Sequence, residues 1–196
     1  MDQQRYRLDF EGVSALVMNN NESVGNDELK RAKGRDPAAW EREHFREKAY
    51  TNDAGQLVVP ARCIKKSLIE GCKFLPEKPK GTQFKSYAPL VQTALLVLDD
   101  AVLDHTVEDL IPWTVIVNLD PSKGPRGPRG PRTRPMVPIP WHCQVEIMVV
   151  DPSLSLEVIE RIAERAGKQC GLLDARAIDY GRCFITVKIA GKVRAA

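Results

Sequence analysis

Residues 124 to 132 read Gly-Pro-Arg three times in succession and run on into Thr133-Arg134-Pro135. From Pro121 to Cys143 no acidic residue interrupts Lys123, Arg126, Arg129, Arg132 and Arg134. A guanidinium is a planar fork that matches two phosphate oxygens, so the chemistry open to these residues is to grip a phosphate chain. Proline fixes φ and lacks an N–H, and glycine weakens regular elements, so the pattern predicts an extended basic arm that is neither helix nor interior strand. In polyproline II, with about three residues per turn and about 3.1 Å rise, Arg126, Arg129 and Arg132 line one edge at roughly 9 Å spacing. The plainer alternative is a loop kept in water by its charge. Collagen is set aside, because the flanks lack the Gly-X-Y period.

A second basic group lies at 61–75. Placed on a helical wheel, Ile64, Leu68, Cys72 and Leu75 share one stripe, while Arg62, Lys66 and Lys73 gather opposite, with Lys65 beside them. Ile69 falls among the cations, and an ordinary solvated lysine face remains an alternative. Beyond the prolines Pro76 and Pro79, Lys78, Lys80, Phe84, Lys85 and Tyr87 interleave charge with aromatic rings. Rings beside cations can stack bases while the cations hold phosphates; Phe84 and Tyr87 can equally enter a core.

Catalytic patterns are sparse. His44, His105 and His142 fall on separate elements without ligand spacing, so the sequence implies no metal site, no catalytic residue and no cofactor. Asp99, Asp100 and Asp104 are the carboxylates that could hold Mg²⁺ for strand cleavage, against the simpler reading of a solvated acidic turn.

These residues sit in a chain of 196 residues and formal net charge +3, too small a charge to argue for nucleic acid by itself. Its distribution is uneven. Residues 60–89 carry Arg62, Lys65, Lys66, Lys73, Lys78, Lys80 and Lys85 against Glu70 and Glu77, whereas 95–112 hold Asp99, Asp100, Asp104, Glu108 and Asp109 with no Lys or Arg. The odd number of cysteines, Cys63, Cys72, Cys143, Cys170 and Cys183, without Cys-x-x-Cys spacing or a signal peptide, implies reduced thiols in a cytoplasm. No apolar run reaches the ~20 residues of a membrane helix, so no membrane partner is expected.

The elements that must position the basic groups follow from periodicity. Tyr6, Leu8 and Phe10 alternate with charge and the pattern resumes at Val13 to Val17, predicting a first strand over 6–17 bent near Gly12. Residues 19–35 read as a mobile loop, Asp36-Pro37 opens a helix to about Lys48, and Asn52-Asp53-Ala54-Gly55 turns a hairpin. After the 61–75 helix, the apolar run Leu90 to Leu98 predicts a buried strand, and Trp113 to Asn118 another. Residues 141–149 alternate as a strand, Ser153 or Ser155 caps a helix ended by Gly167, and 183–189 close the chain as a strand. Without insertions the order is β-α-β-β-α-β, an α+β ferredoxin-like core in one domain spanning 1–196. Residues 19–59 form a loop-helix-hairpin insertion after the first strand. Residues 105–140 carry the basic arm between core strands 2 and 3.

A ferredoxin-like core with a long basic excursion between its second and third strands resembles the RAMP superfamily, above all Cas7-type subunits. Local features resemble small phage-encoded members: Asp9-Phe10-Glu11-Gly12, Val59-Pro60-Ala61-Arg62, Arg132-Thr133-Arg134-Pro135, Gly171-Leu172-Leu173-Asp174-Ala175-Arg176 and Tyr180-Gly181-Arg182. The superfamily's dense glycine loop is matched only by the dispersed Gly167, Gly171 and Gly181. The resemblance implies subunits packed head to tail along a single strand as a homo-oligomer or filament, with the arm folding over the nucleic acid.

Together these readings lead to a non-enzymatic protein that binds single-stranded DNA or RNA, in the cytoplasm of a bacterial host if phage-encoded. The expected contacts are Lys123, Arg126, Arg129, Arg132 and Arg134 of the arm, Arg62, Lys65, Lys66 and Lys73 of the helix, and Lys80, Phe84 and Lys85 of the segment after it. Single-stranded DNA in phage replication or recombination is the first reading; an RNA-binding backbone subunit of a CRISPR-like complex, a protein-interaction module and a metal-dependent nuclease are the alternatives.

Overall fold

Strong alternation of apolar and charged residues places Tyr6, Leu8 and Phe10 on one buried face of strand β1 (Asp2–Gly12), the centre of a four-stranded antiparallel sheet. A computed structural model of the chain describes residues 2–20, 37–118 and 121–194, so the loop expected at 19–35 and the cap expected at Asp36 lie almost wholly outside the described residues. On one side of β1 runs β8 (His142–Val149), with Phe10 opposite Cys143, Leu8 opposite Val145 and Tyr6 opposite Ile147. On the other runs β9 (Cys183–Arg194), and the short β4 (Leu95–Val97) adds to β8, giving the order β4-β8-β1-β9.

Two helices cover the apolar face. Helix α2 (Ala61–Gly71) buries Ile64 and Leu68 and continues as a 3₁₀ turn over Cys72–Phe74. Its first amide, Ala61 N–H, donates to Asp100 Oδ1 at 2.7 Å, a cap from 39 residues away, because Pro60 at the N-cap has no side-chain acceptor. Helix α4 (Leu156–Arg165) is capped by the Ser155 hydroxyl and buries Ile159, Ile162 and Ala163. The two helices cross at Gly71, where a Cβ would stand 2.9 Å from the Ile162 carbonyl oxygen. Burying each Leu or Ile side chain contributes about 1.5–3 kcal/mol, so these contacts account for much of what holds the sheet and helices together.

Four expectations are corrected. The apolar run 90–98 is not one strand: Ala88–Ala94 form helix α3, and only Leu95–Val97 extend. Gln92 and Thr93 are exposed while Leu90, Val91 and Ala94 are buried, a helical rather than an alternating spacing. The first strand stops at Gly12, and Leu16–Val17 form a separate strand, β2, in another sheet. Only glycine fits at position 12, because the ring of buried Trp141 lies where its Cβ would be, 2.3 Å from Nε1. Gly167 does not end α4, which continues as a π turn over Ala166–Cys170 and stops at Gly171, φ +72°. Gly167 instead lets β9 approach: a Cβ there would lie 2.3 Å from the Cys183 carbonyl oxygen.

The fourth correction is the arm. Residues 121–126 form two short 3₁₀ turns on either side of a kink at Gly124, and Arg129–Val137 form β7, the middle strand of a sheet ordered β2-β7-β6, where β6 is Ile111–Asn118. The prolines permit this because of which edge they face. Thr133 directs its N–H to Glu41 and its carbonyl oxygen to Lys48, and the Pro135 carbonyl accepts from Met18 N–H, so residues 131, 133 and 135 face away from β6. Pro131 and Pro135 therefore remove no donor from the β6 ladder.

The segment before α2 supports this sheet. Helix α1 (Pro37–Glu43) and a 3₁₀ turn (Phe45–Lys48) pack on β7. The expected hairpin closes on Gly55, Thr51 bridging to Leu57, and its second arm, β3 (Val58–Val59), pairs with β5 (Ala101–Val102). All five cysteines are free thiols. No helix among the described residues is long and apolar enough to cross a membrane.

Candidate nucleic-acid interface

The long segment between α4 and β9 folds back onto α2. Ser67 Oγ, buried in α2, donates to the Gly171 carbonyl at 2.8 Å, and Leu172 N–H to the Gly181 carbonyl at 2.9 Å. The loop is tightly wound: Leu173, Ala175 and Asp179 all adopt positive φ, as do Gly171 and Gly181. Such left-handed conformations cost about 1–2 kcal/mol for a residue with a Cβ and persist where surrounding contacts impose them. At Gly181 a Cβ would stand 2.1 Å from the Leu172 carbonyl oxygen, so only glycine fits.

Between this loop and α2 lies a groove of about 630 Å³. Lys66 of α2 and Lys73 of the 3₁₀ turn that continues it form one wall and Arg176 and Arg182 the other, with the carboxylates of Glu70 and Asp174 also in the lining. Arg176 pairs with Glu70 of α2, and Arg182 Nη2 donates to the Arg176 carbonyl at 3.2 Å and to Asp179 Oδ1 at 3.3 Å. A smaller cavity of about 230 Å³ continues the groove past Lys66 and Arg176 to Tyr50 and Cys63.

The arm sheet is fixed to the same loop. Arg134 Nη1 lies 2.6 Å from Asp174 Oδ2, Val17 bridges to Asp174, and the rings of Trp113 on β6 and Tyr180 meet at 5.1 Å between centroids. Arg132 is engaged further along, 2.7 Å from Glu41 Oε1.

The expected contact residues thus divide. Lys66 and Lys73 line the groove, and Arg134 stands at its edge through Asp174. Arg62 lies over the Tyr50 ring at 5.7 Å, Lys65 is half-buried, and Lys123, Arg126 and Arg129 are exposed at the head of the arm. Lys80, Phe84 and Lys85 are exposed in the segment before α3 and do not line the groove, while Tyr87 enters the core. Phe74, Arg176 and Arg182 are groove residues that the wheel and charge runs did not single out. Arg176 and Arg182 sit within the two motifs that carry the family resemblance, the one sequence signal that pointed to them.

Several of the groups weighed for catalysis have structural partners. His105 and His142, far apart in sequence, both bring Nδ1 within 2.9 Å of the Asp104 carboxylate, and the His142 backbone N–H donates to the same group at 2.9 Å. Burial acts to raise the Asp104 pKa, but those hydrogen bonds together hold it below the usual carboxylate range. Asp100 caps α2. Among the described residues no three metal-binding side chains gather around a common point. Burial pushes the Cys72 and Cys183 thiols up to about 12, which suits packing rather than nucleophilic attack.

No known protein-family model and no curated protein sequence matches this chain. Its fold is similar to that of a chain in the cryo-EM structure of the Type III-B Cmr-beta bound to cognate target RNA, with TM-score 0.58 and 11% identity over 96% of this chain and 62% of that one. It is also similar to a chain of a Type IV-B CRISPR complex, with TM-score 0.53 and 11% identity over 98% of this chain and 93% of that one. The chain spans less than two thirds of the length of the first of these. At such identity the likeness is one of fold: a mixed α/β architecture with antiparallel sheets, shared with subunits of CRISPR complexes.

Proposed function

We propose that this chain is a Cas7-type protein of the RAMP superfamily that binds single-stranded nucleic acid through its phosphate backbone and has no catalytic role. The observation that carries the reading is the groove, where Lys66 of α2 and Lys73 of the 3₁₀ turn after it face Arg176 and Arg182 of a loop drawn in from a hundred residues away. The strand order β4-β8-β1-β9, with α2 and α4 on one face, is read as the ferredoxin-like core of a single domain, and β6 and β7 as its inserted basic arm. The exposed Arg126 and Arg129 are read as further phosphate contacts on the arm.

Subunits pack head to tail along the strand in this account. RNA is favoured as ligand by the fold likeness to a complex whose bound molecule is target RNA; single-stranded DNA is the second reading, favoured by the resemblance to phage-encoded proteins. Gel shifts with single-stranded DNA, single-stranded RNA and duplex at two salt concentrations test both. Binding of a single strand that weakens with salt supports the proposal, whereas equal or stronger binding of duplex contradicts it.

A further inference from the structure

An apolar platform lies inside the cationic groove. Phe74 closes the 3₁₀ turn after α2, is 48% exposed, and lines the cavity together with Leu173 and Gln169. A single exposed aromatic residue calls for no explanation by itself. Phe74 differs in its surroundings, because Lys66, Lys73 and Arg182 border the same space, while the two carboxylates there, Glu70 and Asp174, are each paired with an arginine. Exposed Phe84, the ring that sequence alone favoured, lines none of it. The volume of about 630 Å³ falls within the roughly 300–1,000 Å³ typical of sites for small organic groups.

We infer that the groove holds an unstacked nucleobase against Phe74, resting on the nucleic-acid reading above and adding a base site to it. The ring supplies a face that any base can stack on. The amide of Gln169 offers both a donor and an acceptor to a base edge, and the lysines reach the adjoining phosphates.

The experiment measures dissociation constants by fluorescence anisotropy for labelled oligo(U) and oligo(dT), each beside the same backbone carrying abasic sites. Wild type should prefer the intact oligomer. Phe74→Ala should lose about 5- to 150-fold on the intact oligomer and change little on the abasic one, while Phe74→Trp retains binding and shows quenching of the new indole. Phe74→Leu, which keeps apolar bulk without a π face, should behave as Phe74→Ala and decides the matter if the alanine variant is poorly folded. Unchanged discrimination between intact and abasic strands in Phe74→Leu would overturn the base site while leaving backbone binding in place. Wild type binding no oligomer at all would remove the functional reading and the base site with it.

Discussion

The Glu41 carboxylate, 2% exposed, accepts a hydrogen bond from Arg132 Nη1 at 2.7 Å, so the third arginine of the Gly-Pro-Arg run is turned inward. Glu41 also pairs with buried Lys48, whose Nζ donates to the Thr133 carbonyl at 2.9 Å. This network fastens α1 to β7. Removing one partner of a buried pair leaves the other charge uncompensated, at a cost of about 3–5 kcal/mol. Glu41→Gln should therefore lower stability in urea denaturation by about 3 kcal/mol. Arg132→Ala, at a partly solvated position, should lose no more than about 1 kcal/mol. Comparable losses in the two variants would contradict this division.

The same pairing alters what the arm can contribute to binding. Log K for a single strand falls with log salt by about 0.7 per phosphate neutralised, so loss of two contacts flattens the slope by about 1.4. Arg126→Ala with Arg129→Ala should produce that change. Arg132→Ala alone should leave the slope near the wild-type value, because its partner Glu41 is buried and a phosphate would have to leave that carboxylate uncompensated. Glu70 and Asp179, the partners of Arg176 and Arg182, are more exposed. Salt titrations of the three proteins check this, and a full change of about 0.7 from Arg132→Ala would show that phosphate displaces Glu41.

Much of the fold was legible because one-sided burial writes a period into the chain. Tyr6-Leu8-Phe10, Cys143-Val145-Ile147 and Ile159-Ile162-Ala163 could be placed from spacing alone. What was hidden depends on partners distant in sequence. The proline-rich arm reads as unpaired until the direction of Thr133 and Pro135 is known, since a proline is compatible with a strand only on the side that lacks a ladder. The Asp100 cap on α2, the burial of Glu41 and the approach of Arg176 to Glu70 have no local signature either. Half of the groove was therefore visible, as the cationic face of α2, and half was not.

Asp104 gives a pH dependence of known sign. Its folded pKa is lowered, so its hydrogen-bonded carboxylate stabilises the fold fully above the ordinary aspartate value of about 3.9 and loses that contribution as pH falls through the lowered value. Below about pH 4, urea midpoints of wild type should decline more steeply than those of Asp104→Asn. Parallel profiles would mean that the two histidines do not hold this carboxylate in solution.

Two glycines with nearly the same φ separate backbone strain from steric exclusion. At Gly81, φ +72°, a Cβ would meet nothing within 4 Å, whereas at Gly181, φ +71°, it would lie 2.1 Å from the Leu172 carbonyl oxygen. Alanine at either site bears the left-handed cost of roughly 1–2 kcal/mol, and at Gly181 overpacking adds about 1–3 kcal/mol. Thermal or urea denaturation should thus rank Gly181→Ala well below Gly81→Ala. Equal losses would contradict the close packing of the groove loop.

The central claim is that the groove between α2 and the 171–182 loop binds a single strand through its phosphates. The most direct measurement is the salt dependence of single-stranded RNA and DNA affinity for Lys66→Ala with Lys73→Ala, both exposed residues whose loss leaves the core intact. The account predicts weaker binding and a slope flattened by about 1.4 units. Wild-type affinity with an unchanged slope would contradict it.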